Sequence, residues 1–121
     1  MRVIKNLSRQ YSAENLRDMA IRRRMYIHLT GDVINGTISL RGDTIYAFFV
    51  APDKQGNGIG SSLLACVEEV ASTQGTNKLS VDASITAKEF YKYHGYSSVK
   101  EERDRWYGVV ITMEKKLQIP G

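Results

Sequence analysis

The stretch Gln55-Gly56-Asn57-Gly58-Ile59-Gly60 constrains this chain more than any other. It follows a run of β-formers, Thr44 to Val50, and precedes residues whose apolar members Leu63, Cys66, Val67 and Val70 recur at helical spacing. Pro52 has no N–H for a ladder and ends the strand. The sequence therefore predicts a strand, a glycine loop and a helix from about Gly60 to Thr73, stopped by Gly75. At such a junction unpaired backbone N–H groups meet the positive end of a helix dipole, and a phosphate is the natural ligand. A glycine loop alone serves equally as a turn whose residues only meet dihedral needs.

The flanking segments set the fold class. Ser12 caps a helical stretch that ends near Arg24, and Met25 to Thr30 and Val33 to Leu40 read as paired strands. Thr44 to Val50 is nearly continuous β-branched and aromatic sequence, as expected of a central strand covered on both faces. Lys78 to Asp82, with Leu79 and Val81 on one side, forms the next strand through a parallel crossover. Thr86-x-x-Glu89 is a capping-box pattern opening a second helix, with Ala87, Phe90, Tyr91 and His94 on one face and Gly95 as its stop. Ser97 to Lys116 reads as two strands around Arg103-Asp104-Arg105, leaving 118–121 as a loose tail. With 121 residues the chain is expected to form one α/β domain, 1–121, of which 1–24 is an N-terminal helical region.

Composition narrows the classes of function. No apolar run approaches the roughly 20 residues of a membrane span, and 1–10 lacks the apolar core of a secretory signal, so no membrane partner is expected. Cys66 is the only cysteine, which excludes an internal disulfide and fits a cytoplasmic protein. The net charge of +4 and Arg22-Arg23-Arg24 raise nucleic acid as a partner. Adjacent arginines at a helix end are more simply complements of the helix dipole, and no nucleic acid is expected. No Cys/His cluster has metal-ligand spacing. The Walker loop fails because Gly56 and Gly60 enclose three residues instead of four and no lysine precedes Ser61. The dinucleotide fingerprint is closer, with Gly56-x-Gly58 before a helix and Asp82 ending the next strand. Ser61 nevertheless occupies its third glycine position, and a five-residue linker separates Val50 from the loop.

Two separated segments carry a resemblance that accounts for more residues. Gln55, Gly58 and Gly60 match the Gln/Arg-x-x-Gly-x-Gly/Ala pyrophosphate loop of GNAT acetyltransferases, preceded by F-F-V-A-P and followed by S-S-L-L-A-C-V-E-E-V-A. Downstream, A-S-I-T-A-K-E-F-Y-K-Y-H-G-Y is similar to that family's Ala-x-x-Phe-Tyr-x-x-x-Gly-Phe segment, with Tyr96 in place of the final phenylalanine. The resemblance covers Met25 to Leu117 well and the first 24 residues weakly. It implies a mixed sheet of about six strands flanked by three to four helices. Because 1–11 is too short for both a strand and a helix ahead of Ser12, the leading strand is expected to be missing and a homodimer to complete the exposed edge.

The resemblance also implies chemistry: acetyl transfer from acetyl-CoA to an amine, small-molecule or peptide, in a ternary complex. A non-catalytic CoA-binding module is the alternative. Backbone groups near Phe49 and Val50 would pair with pantetheine amides, and Gln55, Gly56, Asn57, Gly58, Gly60 and Ser61 would hold the pyrophosphate. Ser84 would contact the pantetheine arm or act only as an N-cap. Tyr91 matches the tyrosine that protonates the departing thiolate, and Phe90 reads as core. The acceptor amine must lose its proton to attack. The base stays open among a water relay, His28, Asp82 and deprotonation in bulk solvent. His28 and His94 read more simply as packing or helix-end residues, and Trp106 either lines the acceptor pocket or is a half-buried strand aromatic.

Overall fold

The computed structural model describes residues 2–5, 24–106 and 108–118. The helix expected at Ser12, Arg22, Arg23 and the tail beyond Gln118 lie outside them. Among the described residues seven strands form one mixed sheet: β1 (Arg2–Lys5), β2 (Arg24–Thr30), β3 (Val33–Arg41), β4 (Thr44–Val50), β5 (Lys78–Ser84), β6 (Ser97–Asp104) and β7 (Gly108–Lys116), in the order β1-β2-β3-β4-β5-β7-β6. Within the same described residues two α-helices, α1 (Ile59–Thr73) and α2 (Ile85–Tyr93), follow β4 and β5. The leading strand expected to be missing is present: β1 pairs antiparallel with β2, from Arg2 opposite Leu29 to Lys5 opposite Tyr26. Four residues suffice to cover the β2 edge, and the reason given for a dimer falls away. Arg24, expected to end a helix, instead opens β2 opposite Leu40.

Apolar periodicity places the core between the sheet and the two helices. Leu63, Leu64, Val67 and Ala71 of α1 are buried against Tyr26, Ile38 and Leu40, while Leu79, Val81, Ile111 and Met113 cover the other half of the sheet. Fully burying each Leu, Ile or Val side chain contributes about 1.5–3 kcal/mol. The cap of α2 is Ser84, whose Oγ accepts from the Ala87 N–H at 3.2 Å. Thr86 is therefore inside the helix, because the serine two residues earlier already satisfies the orphan donor.

The decisive irregularity is in β4, which pairs with β5 only at Thr44 opposite Ser80 and Ile45 opposite Val81. Beyond Ile45 the strands part. β5 stays in register with β7 along its whole length, while β4 carries a bulge against β3 between the pairs Ser39–Tyr46 and Thr37–Phe49. Ala47 sits there with φ of 51°, a left-handed conformation that costs a non-glycine residue roughly 1–2 kcal/mol. The extra residue reverses which face the following side chains take. Phe48 and Val50 pack against the core and Phe49 is left 56% exposed. The expectation that β4 is covered on both faces does not hold: Ile45 is its one buried residue, Thr44, Ala47 and Phe49 are exposed, and β5 flanks the strand only up to Ile45. Gly36, opposite Val50, lets β3 approach this end of β4, since a Cβ there would lie 2.7 Å from the Phe49 carbonyl oxygen.

Candidate active site

The loop after β4 is tied back before it turns. The Ala51 N–H donates to the Asn35 carbonyl at 2.8 Å, Pro52–Lys54 makes one 3-10 turn, and Gln55 Nε2 donates to the Val50 carbonyl at 3.3 Å. Gly56 and Gly58 then take φ of 86° and 77°, values open to few residues other than glycine. Gly58 is the N-cap of α1. Glycine has no side chain with which to cap that helix, and the first turn holds no acidic residue. The amides of Ile59, Gly60 and Ser61 are thus the unpaired donors of a helix N-terminus, with Lys54 as the neighbouring cation.

These residues form one wall of a cleft of about 520 Å³, and Ala87, Phe90 and Tyr91 of α2 form the opposite wall. A Cβ at Gly60 would sit 3.4 Å from the Phe90 ring, so any side chain there would begin to fill the space between the two walls. Phe48, Phe90 and Tyr91 make a mutually edge-on cluster with centroids 5.3 to 6.3 Å apart. Tyr91 is buried, and loss of hydration pushes its phenol up to about 12, so it is a neutral O–H donor throughout the neutral range.

A second cavity, of about 770 Å³, reaches the same residues from elsewhere along the fork. Arg41, Tyr46, Asp82 and Ser84 line it, and Phe48, Ala87 and Tyr91 are common to both spaces. Arg41 and Asp82 are the charged groups at its lining, and Asp82 Oδ1 accepts from Thr112 Oγ1 at 3.0 Å.

Of the residues singled out from the sequence, Val50, Gln55, Gly56, Gly58, Gly60, Ser61 and Tyr91 gather round the first cleft. Asn57 and the Phe49 side chain are exposed and line neither cavity, and Ser84 lines the second. Among the candidate bases, Asp82 lines the second cavity. His28 lines neither; it is buried beside Asn35, whose Nδ2 lies 3.1 Å from His28 Nδ1, and burial lowers its pKa. Trp106 is neither a pocket wall nor half-buried: it sits in the β6–β7 turn, 82% exposed, with Arg105 stacked on its ring. Phe90, read as core, is a half-buried cleft wall.

A family model described as an acetyltransferase (GNAT) domain matches residues 3–117. The chain belongs to the GNAT acetyltransferase family. An uncharacterized N-acetyltransferase, YafP, of Escherichia coli K12 is 35% identical over 77 residues, 64% of this chain and 48% of that protein. This GNAT chain thus spans about half the length of the curated relative it matches. A GCN5-related N-acetyltransferase from Rhodopseudomonas palustris is similar in structure, with a TM-score of 0.74 at 31% identity over 78% of this chain and 62% of the other. A GNAT family acetyltransferase from Elizabethkingia anophelis, solved with acetyl-CoA bound, has a TM-score of 0.70 at 20% identity, covering 88% of this chain and 84% of that one.

The GNAT segment's final phenylalanine is Tyr96 here, and the structure gives the reason. Its hydroxyl donates to Glu68 Oε2 of α1 at 2.8 Å, and Glu68 Oε1 accepts from Lys115 Nζ of β7 at 3.1 Å. The added oxygen links α1, the turn after α2 and β7. Sequence reasoning passed over several contributors to the two spaces, Lys54, Arg41 and Phe48 among them. Lys54 stands immediately before the motif glutamine, a position where a cation beside an anion loop was a legible signal. Arg41 and Phe48 carried none, because a turn and a bulge decide where they point.

Proposed function

We propose that this protein is a cytoplasmic N-acetyltransferase that binds acetyl-CoA along the first cleft and transfers its acetyl group to a primary amine entering through the second. The single observation that supports this reading is that the two cavities share Phe48, Ala87 and Tyr91 at the β4–β5 fork. A long thioester lying along one space and an amine arriving through the other would meet beside one buried phenol. The diphosphate would be held by the amides of Gly58 to Ser61, with each hydrogen bond to a charged oxygen worth about 1.5–3 kcal/mol. Pantetheine would run past the backbone of Phe49 and Val50 where β4 has left β5.

In the reaction the amine nitrogen attacks the thioester carbonyl carbon, the C–S bond breaks, and the sulfur leaves with the bonding electron pair. Tyr91 gives its proton to that thiolate, and the amine releases one. Desolvation that makes Tyr91 a weaker acid also makes the thiolate beside it a stronger base, which keeps the two matched. Asp82, at the lining of the second cavity, is the side chain best placed to take that amine proton directly or through water and release it to solvent, from which Tyr91 is reprotonated.

The test is calorimetry with CoA followed by thiol release from acetyl-CoA across amino acids, polyamines, aminoglycosides and peptides. Tyr91→Phe should retain CoA affinity while kcat falls about 10²- to 10³-fold. Binding without turnover by the wild-type protein on any amine would turn the reading to a non-catalytic CoA-binding module.

A further inference from the structure

His94 caps the C-terminal end of α2, yet its side chain is directed at the start of α1. The ring packs on Phe90, with centroids 4.6 Å apart, and edge-on to Tyr93 at 5.2 Å, so its plane is set from two sides. Its Nε2 lies 3.0 Å from Ser61 Oγ in a part-buried contact. Ser61 is the third residue of α1 and lines the first cleft.

A hydroxyl has one proton to give and two lone pairs to receive with. If Ser61 donates to the imidazole, it shows the cleft only lone pairs, which repel a phosphate oxygen. If the imidazole Nε2–H donates to Ser61, the hydroxyl proton is left to point at the anion. A bound diphosphate therefore selects the Nε2–H form, and the ring, held against Phe90 and Tyr93, keeps that donor in place at little entropic cost.

We infer that His94 is a positioning residue for the cofactor diphosphate: by donating from Nε2 to Ser61 Oγ, it turns the Ser61 hydroxyl proton toward a phosphate oxygen at the head of α1. The inference rests on the acetyl-CoA reading of the cleft. It makes the end of the Phe-Tyr helix part of the phosphate subsite, although the motif that recognises the loop ends more than thirty residues earlier.

A double-mutant cycle on the whole protein tests it, with CoA affinity by calorimetry and kcat/KM on acetyl-CoA and on acetyl-pantetheine, which lacks the diphosphate. His94→Leu and Ser61→Ala should each weaken CoA about tenfold, the scale of one hydrogen bond to a charged group. The double variant should be no weaker than either single one. His94→Gln, whose amide can replace Nε2–H, should stay within about threefold of wild type. KM for acetyl-CoA should rise with kcat unchanged, and kcat/KM on acetyl-pantetheine should not move. If His94→Leu does not fold, His94→Asn, too short to reach Ser61, carries the same expectations. Additive losses in the double variant, or equal losses on acetyl-pantetheine, would reduce His94 to a packing residue and overturn the inference. Loss of CoA binding on Gly58→Asp with none on His94→Leu would sink this inference alone, and absence of CoA binding to the wild type would sink the cofactor reading beneath it.

Discussion

The two spaces that meet at Tyr91 are made in opposite ways. The first is walled on one side by 54–56 and 58–61, a single stretch of chain in which only Asn57 turns away, and what they offer is mainly backbone: uncapped amides, glycines at positive φ and one lysine. The second draws Arg41 from the end of β3, Tyr46 from β4 and Asp82 and Ser84 from β5, and what it offers is side chains. Main-chain recognition of an anion needs only a local conformation, so it travels as a short motif. A surface of side chains from separate strands depends on register, and its members share no spacing that could be searched for.

The largest effect expected from this contrast is at Gly58. Aspartate is among the few residues that accept a left-handed φ, and a Cβ at Gly58 meets nothing within 4 Å, so Gly58→Asp should fold. Its carboxylate would occupy the amides of α1 and repel a phosphate. CoA affinity should fall at least about 100-fold by calorimetry, the upper end of what one lost hydrogen bond to a charged oxygen explains. The amine's KM, measured at saturating acetyl-CoA, should not change. A matching rise in amine KM would break the division between the two spaces.

A smaller effect in the opposite sense is expected at Asp82. Asp82→Asn keeps an acceptor for Thr112 while removing the charge from the second cavity. The expected outcome is about a tenfold loss of kcat/KM that depends on which amine is used, with CoA affinity unchanged. An equal loss on every amine would assign Asp82 to proton removal alone. A loss of CoA affinity would place the cofactor nearer β5 than the loop allows.

The same contrast explains what could be read before the structure. The loop, α1, the parallel crossover and the placement of Tyr91 on the inner face of α2 follow from periodicity, glycine placement and two linked motifs. What escaped depended on events with no local signature. The bulge at Ala47 is invisible because alanine does not announce a positive φ, and with it went the exposed half of β4 and the inward turn of Phe48. The capping box misplaces the start of α2 at Thr86, although Ser84 also reads as an N-cap and is the one found: β5 runs two residues further than its alternation shows, carried by pairing with β7 up to Val110. β1 is only four residues long, and its pairing partner, not its own composition, makes it a strand.

Tyr96 supplies the smallest change and a control for both spaces, since it lines neither. Tyr96→Phe removes a hydrogen bond to a charged, part-buried partner, and the unfolding free energy at pH 7 should fall by about 1–2 kcal/mol with both KM values unchanged. Its pH dependence is more telling. Burial pushes the Tyr96 phenol well above its usual value, and the hydrogen bond to Glu68 adds to that; burial also raises Tyr26 and takes Tyr91 to about 12. In the unfolded chain all three ionise near 10. Above that pH the unfolded state therefore binds fewer protons than the folded one, so stability is complete below pH 10 and declines as pH rises past it. Tyr96→Phe removes one of these protons, which should make the alkaline decline shallower by about 1.4 kcal/mol per pH unit in urea unfolding between pH 10 and 12. The variant that is weaker at neutrality should then equal or exceed the wild type near pH 12. Parallel curves would mean that Tyr96 ionises as freely in the folded protein as in the unfolded chain, and that the link between α1 and β7 passes through Lys115 and Glu68 without it.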